Sequence, residues 1–228
     1  WLFAFVVAWR YADDRKDAHL DAASLHETGA ALMSVFRDPL FLAICALLTL
    51  WSFNPVWGSV LYLHMTEGLG FSERDFGNVT SAFFAGALIG SIGYGIYCRS
   101  VRLSTLLHLS ILAAIVSNAV YWQLGSLTSA YGISVLAGAA YMTGTLIQLD
   151  LTARIIPARA AATVFAIVMA LTNFAGSASE AFGGWLFEAA KTQGREAFSL
   201  VVAISVVSAA TCWLLMPLLR RAAPQWWD

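Results

Sequence analysis

The chain has 228 residues, 59% of them hydrophobic and only 12% charged, with a mean hydropathy of +0.70 and a formal net charge of −1. Soluble domains carry about 25% charged residues, so this chain has too little polar material to coat itself in water, and lipid must solvate much of its surface. No basic patch suggests nucleic acid, and the three cysteines, Cys45, Cys98 and Cys212, have no C-x-x-C spacing that would suggest a metal or disulfide framework.

Residues 1–9, WLFAFVVAW, are apolar but too short to cross a bilayer. They lack the basic start and small-residue cleavage site of a signal peptide, and read as the end of a truncated preceding transmembrane helix. Residues 10–38 are the only long polar stretch, with Asp13, Asp14, Asp17, Asp21 and Glu27, and read as a cytoplasmic linker loop containing a short surface helix. His19 and His26 stand seven apart and could share a helical face. Without a third ligand at helical spacing they read as solvated histidines rather than a metal site.

From 39 to 221 the chain reads as a six-helix transmembrane half-bundle, followed by a cytoplasmic tail at 222–228. The apolar runs are 40–65, 76–98, 103–123, 128–149, 160–187 and 197–219. Each reaches the ~20 residues that a helix needs to cross ~30 Å of hydrocarbon. Lipid offers no partners to the backbone, so the runs must be helices; barrel strands would alternate and be about half as long. The expected fold class is an all-α membrane protein.

Lipid-facing surfaces should be uniformly apolar, so polar or small faces mark protein contact or a water-filled path. In the first span, Asn54 and Pro55 fall near the midplane, and the proline should bend the helix there. Asn54, Gly58 and Leu61 or Tyr62 share a face, with Trp51 three residues before Asn54. Broken helices at this depth recur at transporter sites, although a kink that serves packing alone is the alternative. The second span repeats Ala82, Gly86, Gly90 and Tyr94 every four residues, a stripe for close helix packing.

In the third span His108 and Asn118 stand alone and read as structural. The fourth places Ser134, Tyr141, Thr145 and Gln148 on one side at offsets of seven, four and three. This ridge suits the wall of an aqueous cavity or a set of interhelical hydrogen bonds.

The fifth span carries Asn173, Ser177, Glu180 and Gly184 down one side. Glu180 falls within hydrocarbon depth, about 10 Å toward the outer face from Asn173, and no Lys or Arg lies inside any span to neutralise it. It needs a partner from elsewhere, a proton, a cation or a charged substrate; the structural alternative is a hydrated glutamate at the outer mouth or one bonded to His64. At the rim, Asp150 precedes Arg154 by four, the favourable order for a helical ion pair. Asp150 could instead meet Arg99 or Arg102 and act as a gate latch.

Ten Lys and Arg residues flank the spans on one side: Arg10, Arg15, Lys16, Arg37, Arg99, Arg102, Arg154, Arg159, Arg220 and Arg221; three (Arg74, Lys191 and Arg195) lie on the other. The positive-inside rule then puts both ends of the six-helix unit in the cytoplasm, in a plasma or inner membrane.

Six helices behind a charged loop resemble the C-terminal half of a major facilitator superfamily transporter. More narrowly, PARAAATVFAIVMALTNFAGSASEAFGGWLF is similar to the folate–biopterin transporter family's pattern, carried by Pro157, Ala162, Thr163, Phe165, Ala166 and Asn173. FNPVWGSVLYLHMTEGLGFSERDFGNV resembles that family's first C-half helix and outer loop, and YGIYCRSVRLSTLL its cytoplasmic link. The link departs from the superfamily's Gly-x-x-x-Asp-Arg loop in lacking the Asp.

The resemblance implies secondary transport of a small, folate- or pterin-like solute by alternating access, with protons as a coupling ion and the missing N-terminal half-bundle as partner. It also implies that the first, second, fourth and fifth helices line the path. The expected pathway residues are Trp51, Asn54, Tyr141, Thr145, Gln148, Asn173, Ser177 and Glu180, with no cofactor and no metal. The alternatives are a non-transporting scaffold or receptor-like protein and a membrane-embedded enzyme, the latter disfavoured because the four His and three Cys are scattered.

Overall fold

The computed structural model describes residues 33–156, 161–193 and 196–226, all helix or connection with no strand among them. The expectations for residues 1–9, His19, His26, Pro157 and the basic residues Arg10, Arg15, Lys16, Arg159 and Arg195 lie outside the described residues. The helices are α1 (Pro39–Ser52), α2 (Ser59–Leu63), α3 (Glu73–Tyr97), α4 (Leu103–Ala119), α5 (Leu127–Ile155), α6 (Ala161–Thr192), α7 (Ala197–Thr211) and α8 (Met216–Ala222). A 3₁₀ turn, Val120–Gln123, prolongs α4, and another, Cys212–Leu215, joins α7 to α8. Five of these units are long and apolar enough to cross a membrane: α3, α4 with its extension, α5, α6 and α7 with α8. The protein is an all-α, multi-pass membrane protein.

Local chemistry places the helix starts. Pro39 stands at the beginning of α1, where its missing N–H costs nothing, and the Asp38 side chain accepts from the Leu40 amide at 2.8 Å. Ser72 and Asp75 form a reciprocal capping box before α3, and Ser126 and Ser129 form another before α5. Upstream, a helical turn at 33–37 buries Val35 in the bundle and sets Phe36 edge-on to Phe41, their ring centroids 5.5 Å apart.

The first expected span is not one helix, which corrects the count of six continuous spans to five. Residues 53–58 interrupt it: Phe53 is extended, Pro55 has no amide hydrogen, and Gly58 adopts φ 68°. The expected helical face through Asn54, Gly58 and Leu61 or Tyr62 therefore does not exist, because Asn54 and Gly58 lie in the interruption. Beyond it come α2 and a π-helical turn, His64–Gly68.

In lipid an open backbone must find partners, and α7 supplies them. Ser208 donates to the Phe53 carbonyl at 3.1 Å, and the Val56 amide donates to the buried Ser205 hydroxyl at 3.1 Å.

Two apolar clusters fill the ends of the bundle. One joins Phe41, Ile44, Leu106, Ile147, Leu151 and Leu219; the other joins Val56, Val60, Met65, Tyr121, Ala130 and Val201. Between them α3 and α5 meet backbone to backbone: a Cβ on Gly86 would strike the Val135 carbonyl, one on Gly90 the Ala139 carbonyl, and one on Gly138 the Phe83 carbonyl. Van der Waals packing rather than hydrophobic transfer drives such contacts in lipid. The α3 surface at Gly77 is open.

Gly86→Ala should therefore lower the thermal midpoint of the purified protein in detergent, with an overpacking cost of about 1–3 kcal/mol. Gly77→Ala, in the same helix, should leave the midpoint unchanged or raise it. Equal effects of the two substitutions would show that the α3–α5 contact is not close.

Candidate functional site

Where α1 stops, the bundle encloses a cavity of about 640 Å³ that opens between the two apolar clusters. The interruption after α1 positions Trp51 and Asn54 on its wall. Tyr141, Thr145 and Gln148, spaced four and three apart on α5, line the facing side. Asn173, Ser177 and Glu180, at the same helical spacing on α6, line a third. The structure thus brings all eight of the expected pathway residues to one cavity; Ser134, expected on the same ridge of α5, is buried and does not line it.

α6 divides cleanly into two faces. Val164, Val168, Ala175, Ser179, Gly183 and Phe187 are buried against the bundle, while Asn173, Ser177 and Glu180 stand exposed on the other side. The buried face lies close on the interrupted helix: Gly183 sits against the Pro55 carbonyl, and a Cβ on Gly176 would lie 4.0 Å from that of Ser52.

The wall is aromatic and amide-rich. Tyr141, 45% exposed, lies over Trp51 with centroids 5.8 Å apart and planes 28° apart. Trp57 lies 6.3 Å from Tyr141 and 4.4 Å, edge-on, from Phe83, whose ring is 5.7 Å from Tyr141. Gly144 makes room for the Trp51 indole on α5. Two polar atoms buried here have no partner among the described residues, the Trp51 indole nitrogen Nε1 and the Asn54 side-chain oxygen Oδ1.

Asn118, read from sequence as structural, belongs to this site. It lines the cavity and accepts a hydrogen bond from Asn54 Nδ2 at 3.1 Å. Trp57, Phe83 and Thr172 join it without having been singled out. Asn118 is the one amide of α4, and only its shared depth with Asn54 marks it in the sequence. His108 is exposed and does not line the cavity.

Glu180 is the one charged side chain among the described lining residues. It makes no hydrogen bond or ion pair among them. Its carboxylate rests against Gly58, so closely that a Cβ there would strike it. His64 does not meet it; that ring stacks on Phe198, centroids 3.6 Å apart and planes 4° apart.

Of the expected gate residues, Asp150 is held within its own helix, accepting from Arg154 at 3.0 Å with both side chains solvent-accessible. Arg99 and Arg102 are exposed and pair with nothing among the described residues, so no latch to Asp150 is formed. At the opposite end Lys191 joins α6 to the π-helical turn through Glu67 at 2.9 Å. Among the described residues no three His, Cys, Asp or Glu side chains could hold a metal ion together. In comparisons with known proteins no family model matches the chain, and neither a curated protein nor a solved structure does.

Gly58→Ala should destabilise the protein through its backbone, because a φ of 68° is one that an L side chain rarely adopts. The carboxylate it would meet is the far end of an exposed, flexible side chain and can swing aside. In thermal unfolding the loss of about 1–3 kcal/mol should therefore persist when Glu180→Ala is added. Full recovery in the double variant would show that the carboxylate, not the backbone conformation, sets the cost.

Proposed function

We propose that this chain forms the C-terminal half of a secondary active transporter of the major facilitator type, moving a small organic solute by alternating access. The observation that carries the reading is the convergence of three polar faces, far apart in sequence, on one cavity beside a broken helix. The unpartnered indole donor and amide acceptor in its wall are groups that a solute can satisfy.

A second bundle packed on the exposed polar face of α6 would complete the site. The resemblance to folate–biopterin transporters makes a pterin or folate the first solute to try. A proton gradient would provide the coupling.

The test is uptake by the full-length protein, with whatever precedes residue 1, in proteoliposomes. Labelled pterin should accumulate against a gradient when a pH difference is imposed, with folate run beside it as the carboxylated comparison. Tyr141→Ala and Asn54→Ala should each lower initial uptake about tenfold or more, the loss expected when a buried hydrogen bond or ring contact is removed. Asp150→Asn, at the exposed rim, should stay near wild type. If folded protein moves no solute with or without a gradient, the chain is a scaffold or receptor instead; conversion of the solute into a new compound would make it an enzyme.

A further inference from the structure

The described Lys and Arg side chains all stand at helix ends or in connections, and none lines the cavity. An anionic solute would meet no countercharge there and would face the Glu180 carboxylate. Charge repulsion opposes that arrangement.

A cation would meet the reverse. Glu180 has no partner among the described residues, and its carboxylate rests against Gly58, the residue after Trp57. Trp57 belongs to the ring group that includes Tyr141, Phe83 and Trp51. Countercharge and aromatic faces therefore line one cavity, and both attract a positively charged flat ring. The free Trp51 Nε1 can donate to a ring nitrogen, and the free Asn54 Oδ1 can accept from an N–H.

We infer that the cavity selects a planar heteroaromatic cation, its ring against the Tyr141–Trp57 wall and its charge toward Glu180, and discriminates against carboxylated solutes such as folates. The inference rests on the reading of the cavity as a solute site, and it parts from the folate side of the family resemblance.

The experiment compares three two-ring probes of similar shape and different charge, 1-methylquinolinium, 1-methylnaphthalene and 1-naphthoate; none carries a ring-nitrogen lone pair or an N–H, so charge is what separates them. Each is measured by equilibrium dialysis against the full-length protein in nanodiscs of zwitterionic lipid, with empty nanodiscs as the blank and no gradient. The cation should bind most tightly and the carboxylate most weakly, the two separated by about tenfold or more. Glu180→Gln should shrink the gap between cation and neutral probe to about threefold or less, Glu180→Asp should keep most of it, and Tyr141→Ala should weaken all three.

Binding of the carboxylate as tight as that of the cation overturns the inference, as does a cation preference that survives Glu180→Gln, or no binding above the blank. Glu180-dependent cation binding by a protein that moves no solute in vesicles would sink the transport reading and leave this one standing. Uptake of folate without any cation preference would do the opposite.

Discussion

A six-residue stretch of open backbone inside an apolar bundle is the constraint around which this protein is arranged. Residues 53–58 cannot satisfy their own amides and carbonyls as a helix would, and lipid cannot do it for them. Ser205 and Ser208, one helical turn apart on α7, take the Val56 amide and the Phe53 carbonyl. The Trp57 amide turns back to the Asn54 carbonyl at 3.3 Å. Close approach by α6, where Gly183 leaves room for the Pro55 carbonyl, closes the other side. Because α1 stops at Ser52, space opens above its last turn, and Trp51, Asn54 and Trp57 turn onto the wall of that space. The cavity is a consequence of the interruption.

Much of this was legible in the sequence, for physical reasons that differ from element to element. The class followed from the shortage of charge, since nothing else explains so apolar a chain. A close-packing face on α3 followed from Gly86 and Gly90, whose missing side chains have no other use in lipid, although only the structure names α5 as its partner. The faces on α5 and α6 followed from helical spacing, because both helices run unbroken and the 3.6-residue period keeps Tyr141, Thr145 and Gln148, or Asn173, Ser177 and Glu180, in line.

The rest depended on contacts between residues far apart in the chain. Pro55 announces a bend, but whether a proline bends a helix or ends it is decided by its neighbours, here serines about 150 positions downstream. Hydropathy averaged over a window reads 40–65 as one span because the interrupting residues are themselves apolar. Asn118 escaped for a related reason: α4 carries no polar stripe, and a single amide acquires meaning only when Asn54 is brought within 3.1 Å of it. The rim pair went the simpler of two ways, since Arg154 lies on the same helix as Asp150 and a contact four residues away costs less order than one across a loop.

The same principle that explains the interruption makes the cavity wall stand out. Burying a polar atom without a partner costs about 1–3 kcal/mol. The protein avoids that cost at Phe53 and Val56 by recruiting serines from another helix, yet accepts it at Trp51 Nε1 and Asn54 Oδ1 a few residues away. Tyr94, Tyr121 and Ser179 also bury hydroxyls without partners among the described residues, but none of the three lines the cavity. The indole nitrogen and the amide oxygen both border a space that also holds the Glu180 carboxylate, unpaired among the described residues, and the exposed ring of Tyr141. A fold that satisfies its backbone with care and leaves these side chains open is spending stability where a bound molecule would restore it.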